Sequence, residues 1–319
     1  MSEPQSLPAY GGAGWRPRER SFKEELGSIW GPCGLDSEWR PLRTVLLHSP
    51  GGELEQVSQS PSSSLMLDTI DPASISHQHD QMAEAYGIAG VQVHYVRPSD
   101  LPPPNQLFSA DLFAMTPEGA ILGRPASEVR AGEERWVARA LSDLGIPILL
   151  SIRGGGTFEG ADLMWLSPEL ALMAVGFRTN EEGANQVQAL LHDLGVRVLK
   201  TYLPPGTMHL MGQLRIVDHN LAIVWRDRLP EECVSDLLTL GFDVAYVPDE
   251  GEARSGFALN FVVLGPRKIL MPAGNPLSQT FYEGLGIECL TVEVGSISRA
   301  AGSIGCLTGI LERESDSLP

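Results

Sequence analysis

The sequence predicts an α/β fold of five like units closed around an axis, a fivefold pseudo-symmetric propeller with one central channel. Three observations carry this expectation. First, an amphipathic helical stretch runs into a glycine and then into a short apolar strand five times. The turns fall at Gly90, Gly145, Gly195, Gly241 and Gly286, at spacings of 55, 50, 46 and 45 residues. Second, each unit opens on an apolar strand of its own: T-V-L-L-H from Thr44, A-I-L-G from Ala120, L-A-L-M-A-V from Leu170, L-A-I-V-W from Leu221 and K-I-L-M-P from Lys268. Third, one polar residue recurs in phase: Asp111, Glu159, His209, Asn260 and Cys306 stand 48, 50, 51 and 46 residues apart. Units stacked in an open row would place these five along one face and would be near-identical between atypical caps. Here the units share a pattern but differ in their polar residue. Two acids, an imidazole, an amide and a thiol brought to one point make a catalytic constellation, so closure is the favoured arrangement.

The elements follow in order. Residues 1–36 are rich in Pro and Gly, carry an R-P-R-E-R cluster, and read as an irregular extension capping one face; 37–319 read as one catalytic domain. After the first strand, S-Q-S-P-S-S-S at 58–64 is a loop placed to cover a site. The four later units repeat strand, helix, Leu-Gly turn and strand, and the tail after Glu312 reads as frayed.

Composition narrows the function. The 319 residues are 20% charged and 43% hydrophobic, ordinary for a globular enzyme. A net charge of −17 argues against binding a nucleic-acid backbone and is compatible with a cationic substrate or simply with solubility. There is no apolar run long enough for a membrane span and no secretory leader pattern at the start. Cys33, Cys233, Cys289 and Cys306 are far apart with no C-x-x-C pair, which disfavours a zinc site or a disulfide framework. A reducing cytoplasm fits. The oligomeric state is open, with a homodimer as the candidate.

The recurring residues sit in informative surroundings. Cys306 lies in A-A-G-S-I-G-C-L-T, where small neighbours let a substrate reach the sulfur; a working thiolate there needs a depressed pKa. His209, in P-P-G-T-M-H-L-M-G, has the phase of a general acid/base for that thiol. F-E-G-A-D places Glu159 and Asp162 in a loop before a strand, where carboxylates beside a His or a cationic ligand stay ionised. His77 and His79 in S-H-Q-H-D invite a metal reading, but two positions apart on a helix they diverge by about 200°. Neither a metal nor an organic cofactor is called for.

In order and spacing, these motifs resemble the guanidine-modifying (pentein) superfamily of arginine deiminases, dimethylarginine dimethylaminohydrolases and amidinotransferases, over about residues 37 to 312. F-E-G-A-D is similar to the family's [ED]-G-G-D, M-H-L to its catalytic-histidine segment, G-S-I-G-C-L-T to its nucleophile loop and F-S-A-D to the segment whose aspartate grips a guanidinium. The resemblance implies a fivefold α/β propeller with Cys306 as nucleophile, His209 as acid/base and Glu159 as supporting acid. It implies Asp111 and Asp162 as further acids of the guanidinium site. F-R-T-N-E-E-G-A from Phe177 and G-R-P-A-S-E-V-R from Gly123 resemble dimethylarginine hydrolase segments, which implies that Arg178 and Arg124 bind a substrate α-carboxylate. Asn260 would shape the site. Where deiminases and amidinotransferases read H-x-D, this chain has Met211, an apolar wall suited to an N-alkylated guanidine. S-E-W-R-P-L at 37–42 is similar instead to the opening strand of amidinotransferases. The expected activity is therefore hydrolysis of a substituted, arginine-like guanidine through a thiouronium on Cys306. An amidinotransferase and a non-catalytic arginine-analogue binder are the alternatives.

Overall fold

The computed structural model describes residues 7–315; residues 1–6 of the extension and 316–319 of the tail lie outside the described part. Among the described residues the strands form five three-stranded sheets. One holds β1 (Leu42–Leu47) between β2 (Gln92–Tyr95) and β15 (Gly309–Arg313). The next is β3 (Phe113–Thr116), β4 (Gly119–Leu122) and β5 (Ile148–Ser151), followed by β6 (Leu163–Ser167), β7 (Leu170–Val175) and β8 (Arg197–Tyr202). The last two are β9 (Leu214–Asp218), β10 (Leu221–Val224) and β11 (Asp243–Tyr246), and β12 (Val262–Gly265), β13 (Lys268–Pro272) and β14 (Glu288–Val292).

Every sheet has the same grammar. The middle strand pairs antiparallel on one side, as in Phe113↔Leu122, and parallel on the other, as in Leu170↔Arg197. The parallel step needs a crossover helix. These are α1 (Pro72–Ile88), α2 (Glu134–Asp143), α3 (Glu181–Asp193), α4 (Glu231–Thr239) and α5 (Pro276–Gly284). The five periodic glycines follow these helices, all with positive φ between 70° and 89°. Glycine reaches that left-handed conformation without strain, so it ends each helix and turns the chain into the parallel strand. The middle strands β4, β7 and β10 are buried at every position, as strands covered on both faces must be.

The strand expected after F-E-G-A-D, after His209 and after Cys306 is the antiparallel strand of its sheet, and the other two sheets have one as well. The segment at 58–64 is not plain loop: the 3₁₀ turns Gly52–Gln59 and Pro61–Ser64 run through it. The extension is tied down where it is described, since Gly31 N donates to Gly145 O at 2.9 Å and Leu35 N to Thr116 O at 3.2 Å. On α1, His77 is exposed and His79 is buried, on divergent faces.

Candidate active site

The five recurring polar residues leave the chain at one point of the repeat, the turn that feeds the antiparallel strand. Asp111 is in the turn Ser109–Leu112 and Cys306 in Ile304–Leu307. Glu159 and His209 immediately precede the turns Gly160–Asp162 and Leu210–Gly212, and Asn260 stands just before β12. The turn bearing Asp111 packs on those of Cys306 and Glu159, and the latter packs on that of His209.

Their side chains form two connected groups. His209 Nε2 lies 2.7 Å from Glu159 Oε2, and Nδ1 is 3.9 Å from Asp111 Oδ1. Burial opposes a charge on His209, but Asp111, Asp162 and Glu159 outweigh it and raise its pKa to about 9. Burial likewise opposes ionisation of Glu159, yet His209, Arg130 and Arg178 hold its carboxyl well below the usual carboxylate range. Asp162 is fully committed to the scaffold: it accepts from Thr179 Oγ1 at 2.7 Å and from the backbone N–H of Leu210 at 3.0 Å, fixing the residue after His209. Burial pushes its carboxyl up to about 6, against the charge of His209.

The second group is built on Asn260. Its Nδ2 donates to Cys306 Sγ at 3.0 Å, its Oδ1 accepts from Cys306 N at 3.1 Å and its carbonyl accepts from Gly305 N at 3.1 Å. Burial and the charge of Asp111 push the Cys306 thiol up, while Asn260 and Arg215 pull against them. The half-buried Cys306 contrasts with the buried Cys233, whose thiol burial raises to about 11.

Cys306 and His209 together line two cavities. The smaller, about 20 Å³, also meets Asp111, Arg130, Arg178 and Leu65, so the segment after the 3₁₀ turns does reach the site. The larger, about 110 Å³, is bounded by Met211 and by apolar side chains of the fourth unit.

Of the two arginines expected to hold a carboxylate, Arg178 lines the smaller cavity, but its Nη1 lies 3.3 Å from both oxygens of Glu159. Arg124 is exposed, donates from Nη1 to Gly156 O at 2.9 Å and lines neither cavity. Sequence reasoning missed Arg130, which closes the same R-P-A-S-E-V-R segment and is buried inside the site. Its Nη1 donates to Asp111 Oδ2 at 2.6 Å and lies 3.4 Å from Glu159 Oε2, while Nη2 donates to Glu133 Oε2 at 2.8 Å. Asp111, Glu159 and His209 present ligand-capable atoms within 4.8 Å of one another. Both carboxylates are already paired with guanidiniums, Asp111 with Arg130 and Glu159 with Arg130 and Arg178.

Comparisons with known proteins bear on the family and the fold. A family model described as arginine deiminase matches residues 53–243. A dimethylarginine dimethylaminohydrolase of Streptomyces coelicolor is 26% identical over 239 residues, 75% of this chain and 86% of that protein. Among solved structures, a dimethylarginine dimethylaminohydrolase from Pseudomonas aeruginosa, a cysteine-to-serine variant complexed with citrulline, gives a TM-score of 0.71 at 23% identity, covering 86% of this chain and all of that one. An amidinotransferase of saxitoxin biosynthesis from Microseira wollei gives 0.74 at 16% identity, covering 91% and 99%. At these identities the structural likeness concerns the fold.

Proposed function

The chain belongs to the arginine deiminase family, within the guanidine-modifying pentein superfamily, and from that premise we propose that it is a cysteine hydrolase of a substituted arginine-like guanidine. The observation that carries the reading is the shared cavity: Cys306 and His209 face one space, and His209 is held by Glu159.

In this mechanism Asp111 binds the guanidinium through Oδ1, which is buried and has no hydrogen-bond partner, because Oδ2 is taken by Arg130. The Cys306 thiolate attacks the guanidinium carbon, and Asn260 Nδ2 stabilises the sulfur. With Nε2 committed to Glu159, His209 works through Nδ1. Nδ1–H protonates the departing amine as its C–N bond breaks, because an amide anion does not leave. The C–S bond remains as a thiouronium on Cys306. His209 then takes a proton from water, which attacks the same carbon, expels the thiolate and frees a ureido product. Asp162 keeps His209 in place through Leu210. Arg178, whose buried Nε has no partner, and the exposed Arg124 are the candidates for the substrate's α-carboxylate. No step calls for a metal or organic cofactor.

The deciding experiment is intact-mass spectrometry on acid-quenched turnover with plain and N-alkylated guanidines, with and without an amine acceptor. A mass increment on Cys306 and a ureido product from water alone support the hydrolase. Turnover only with the acceptor reassigns the chain to the amidinotransferases, the reading favoured by S-E-W-R-P-L at 37–42. No adduct with any guanidine refutes the reading.

A further inference from the structure

The larger cavity is mostly apolar: Met211, Trp225, Phe257 and Leu259 line it, Gln213, Asn260 and Arg254 add polar atoms, and His209 and Cys306 border it as well. The carboxylate and arginines of the smaller cavity, Asp111, Arg130 and Arg178, do not border it. At about 110 Å³ it is several times the size of the polar cavity. An apolar cavity of roughly 150 Å³ takes up a benzene, so this one has room for a branched alkyl group or most of an aromatic ring, more than two methyl groups fill.

Backbone conformation marks the same place. Among the described residues, five non-glycine positions have left-handed φ: Leu65, Asp227, Phe257, Arg267 and Ala301. Phe257, at φ 54°, and Ala301, at φ 71°, both line the larger cavity. A bulky aromatic residue is a rare occupant of that region, and such strain persists where the surroundings over-determine it. Phe257 thus lines a cavity that the candidate nucleophile also lines.

We propose that this cavity holds a large apolar N-substituent of the substrate, a butyl- to benzyl-sized group, on the nitrogen that departs. The inference rests on the hydrolase reading and deepens it. The polar cavity would grip the guanidinium at Asp111, and the substituted nitrogen would sit beside His209. As the C–S bond to Cys306 forms, the C–N bond to that nitrogen breaks and His209 supplies its proton. The substituent leaves as a primary amine, and the arm of the substrate stays as the thiouronium.

The test compares kcat/KM of the full chain on Nω-methyl-, Nω-butyl- and Nω-benzyl-arginine, identifying the released amine. In parallel, calorimetry measures binding of methyl-, butyl- and benzylguanidine to Cys306→Ser. Burying each extra methylene is worth about fourfold, so butyl and benzyl are expected to exceed methyl by ten-fold or more in both readouts, with butylamine and benzylamine released. Gly212→Leu is expected to erase that gap, because Gly212 lines the cavity and a Cβ there meets nothing within 4 Å. The wild-type series decides by itself if that variant misfolds. Equal or better performance of the methyl compounds in both readouts, or release of ammonia, overturns the inference while leaving the hydrolase reading standing if turnover occurs. Graded binding without turnover of any guanidine supports the cavity assignment and refutes the hydrolase.

Discussion

Asn260 holds Cys306 at two points, accepting its backbone N–H at 3.1 Å and donating to its sulfur at 3.0 Å. One amide thus fixes both the position of the nucleophile and a donor for its charge. A hydrogen bond to a charged group contributes about 1.5–3 kcal/mol, or roughly 10- to 150-fold in rate. Asn260→Ala is expected to lower kcat by that factor with KM little changed, and to raise the thiol pKa in an ultraviolet thiolate titration. Wild-type kcat in this variant would remove Asn260 from the mechanism.

His209 links activity and stability to pH. Its folded pKa of about 9 stands above the ordinary value near 6.5. Proton binding therefore favours the folded state: the contribution is fully present below about pH 6.5 and is lost as pH rises through about 9. Thermal unfolding from pH 6 to 10 should show Tm falling across that window, and His209→Gln should flatten the fall. The same titration sets the alkaline limb of kcat/KM, because the imidazolium is the acid that protonates the amine.

Asp162 acts at one remove from the reacting atoms. Asp162→Asn keeps an acceptor at only one of the two oxygen positions that Thr179 and Leu210 now use, and puts an NH2 donor at the other. The expected result is a fall in kcat on the order of tenfold, with the His209 titration displaced. A merely structural role would lower Tm and leave that titration where it is.

Two glycines separate tolerance of the fold from tolerance of the site. A Cβ at Gly160 would stand 2.1 Å from Phe113 O and 2.6 Å from Ala110 O, both backbone atoms. Gly160→Ala is expected to cost roughly 1–3 kcal/mol or more and to show in urea unfolding. At Gly305 the Cβ would run into Arg215 Nη2 and stand 3.0 Å from Asn260 Oδ1 and 3.3 Å from Met211 Sδ, all of them side-chain atoms. Gly305→Ala should fold and lose activity, because what yields is the surroundings of Cys306.

Arg215 sits behind the nucleophile with Nη2 buried and unpaired, and burial lowers its pKa to about 10. Arg215→Met removes a buried charge whose desolvation opposes folding and which draws the Cys306 thiol down. A Tm at or above wild type, a higher thiol pKa and lower kcat/KM are expected together. Reduced Tm with an unmoved thiol would show that the charge serves the fold instead.

The repeat was legible because its signals are local. The helix-ending glycines and the apolar middle strands are each set by a few adjacent residues, and phase alone singled out Asp111, Glu159, His209, Asn260 and Cys306. The antiparallel strands were harder: Phe113–Thr116 and Val262–Gly265 are too short to show a period, and their partners define them. Arg130 escaped for a related reason. It is an ordinary arginine until folding sets it beside Asp111 and Glu159, 19 and 29 residues away. Arg215 carries no signal at all, being a single arginine at the start of the strand L-R-I-V-D.

Strand β15 joins β1 through pairs such as Leu42↔Arg313 and Leu46↔Gly309, and Cys306 stands three residues ahead of its first residue, Gly309. The ring is therefore fastened by a clasp, and the reactive sulfur rides on the clasp. An unfastened ring can already hold its acids and its imidazole, yet it presents no aligned thiol to a guanidine. Competence for chemistry should thus arrive last in folding, after a loop closure spanning most of the chain, and vanish first when the clasp springs open.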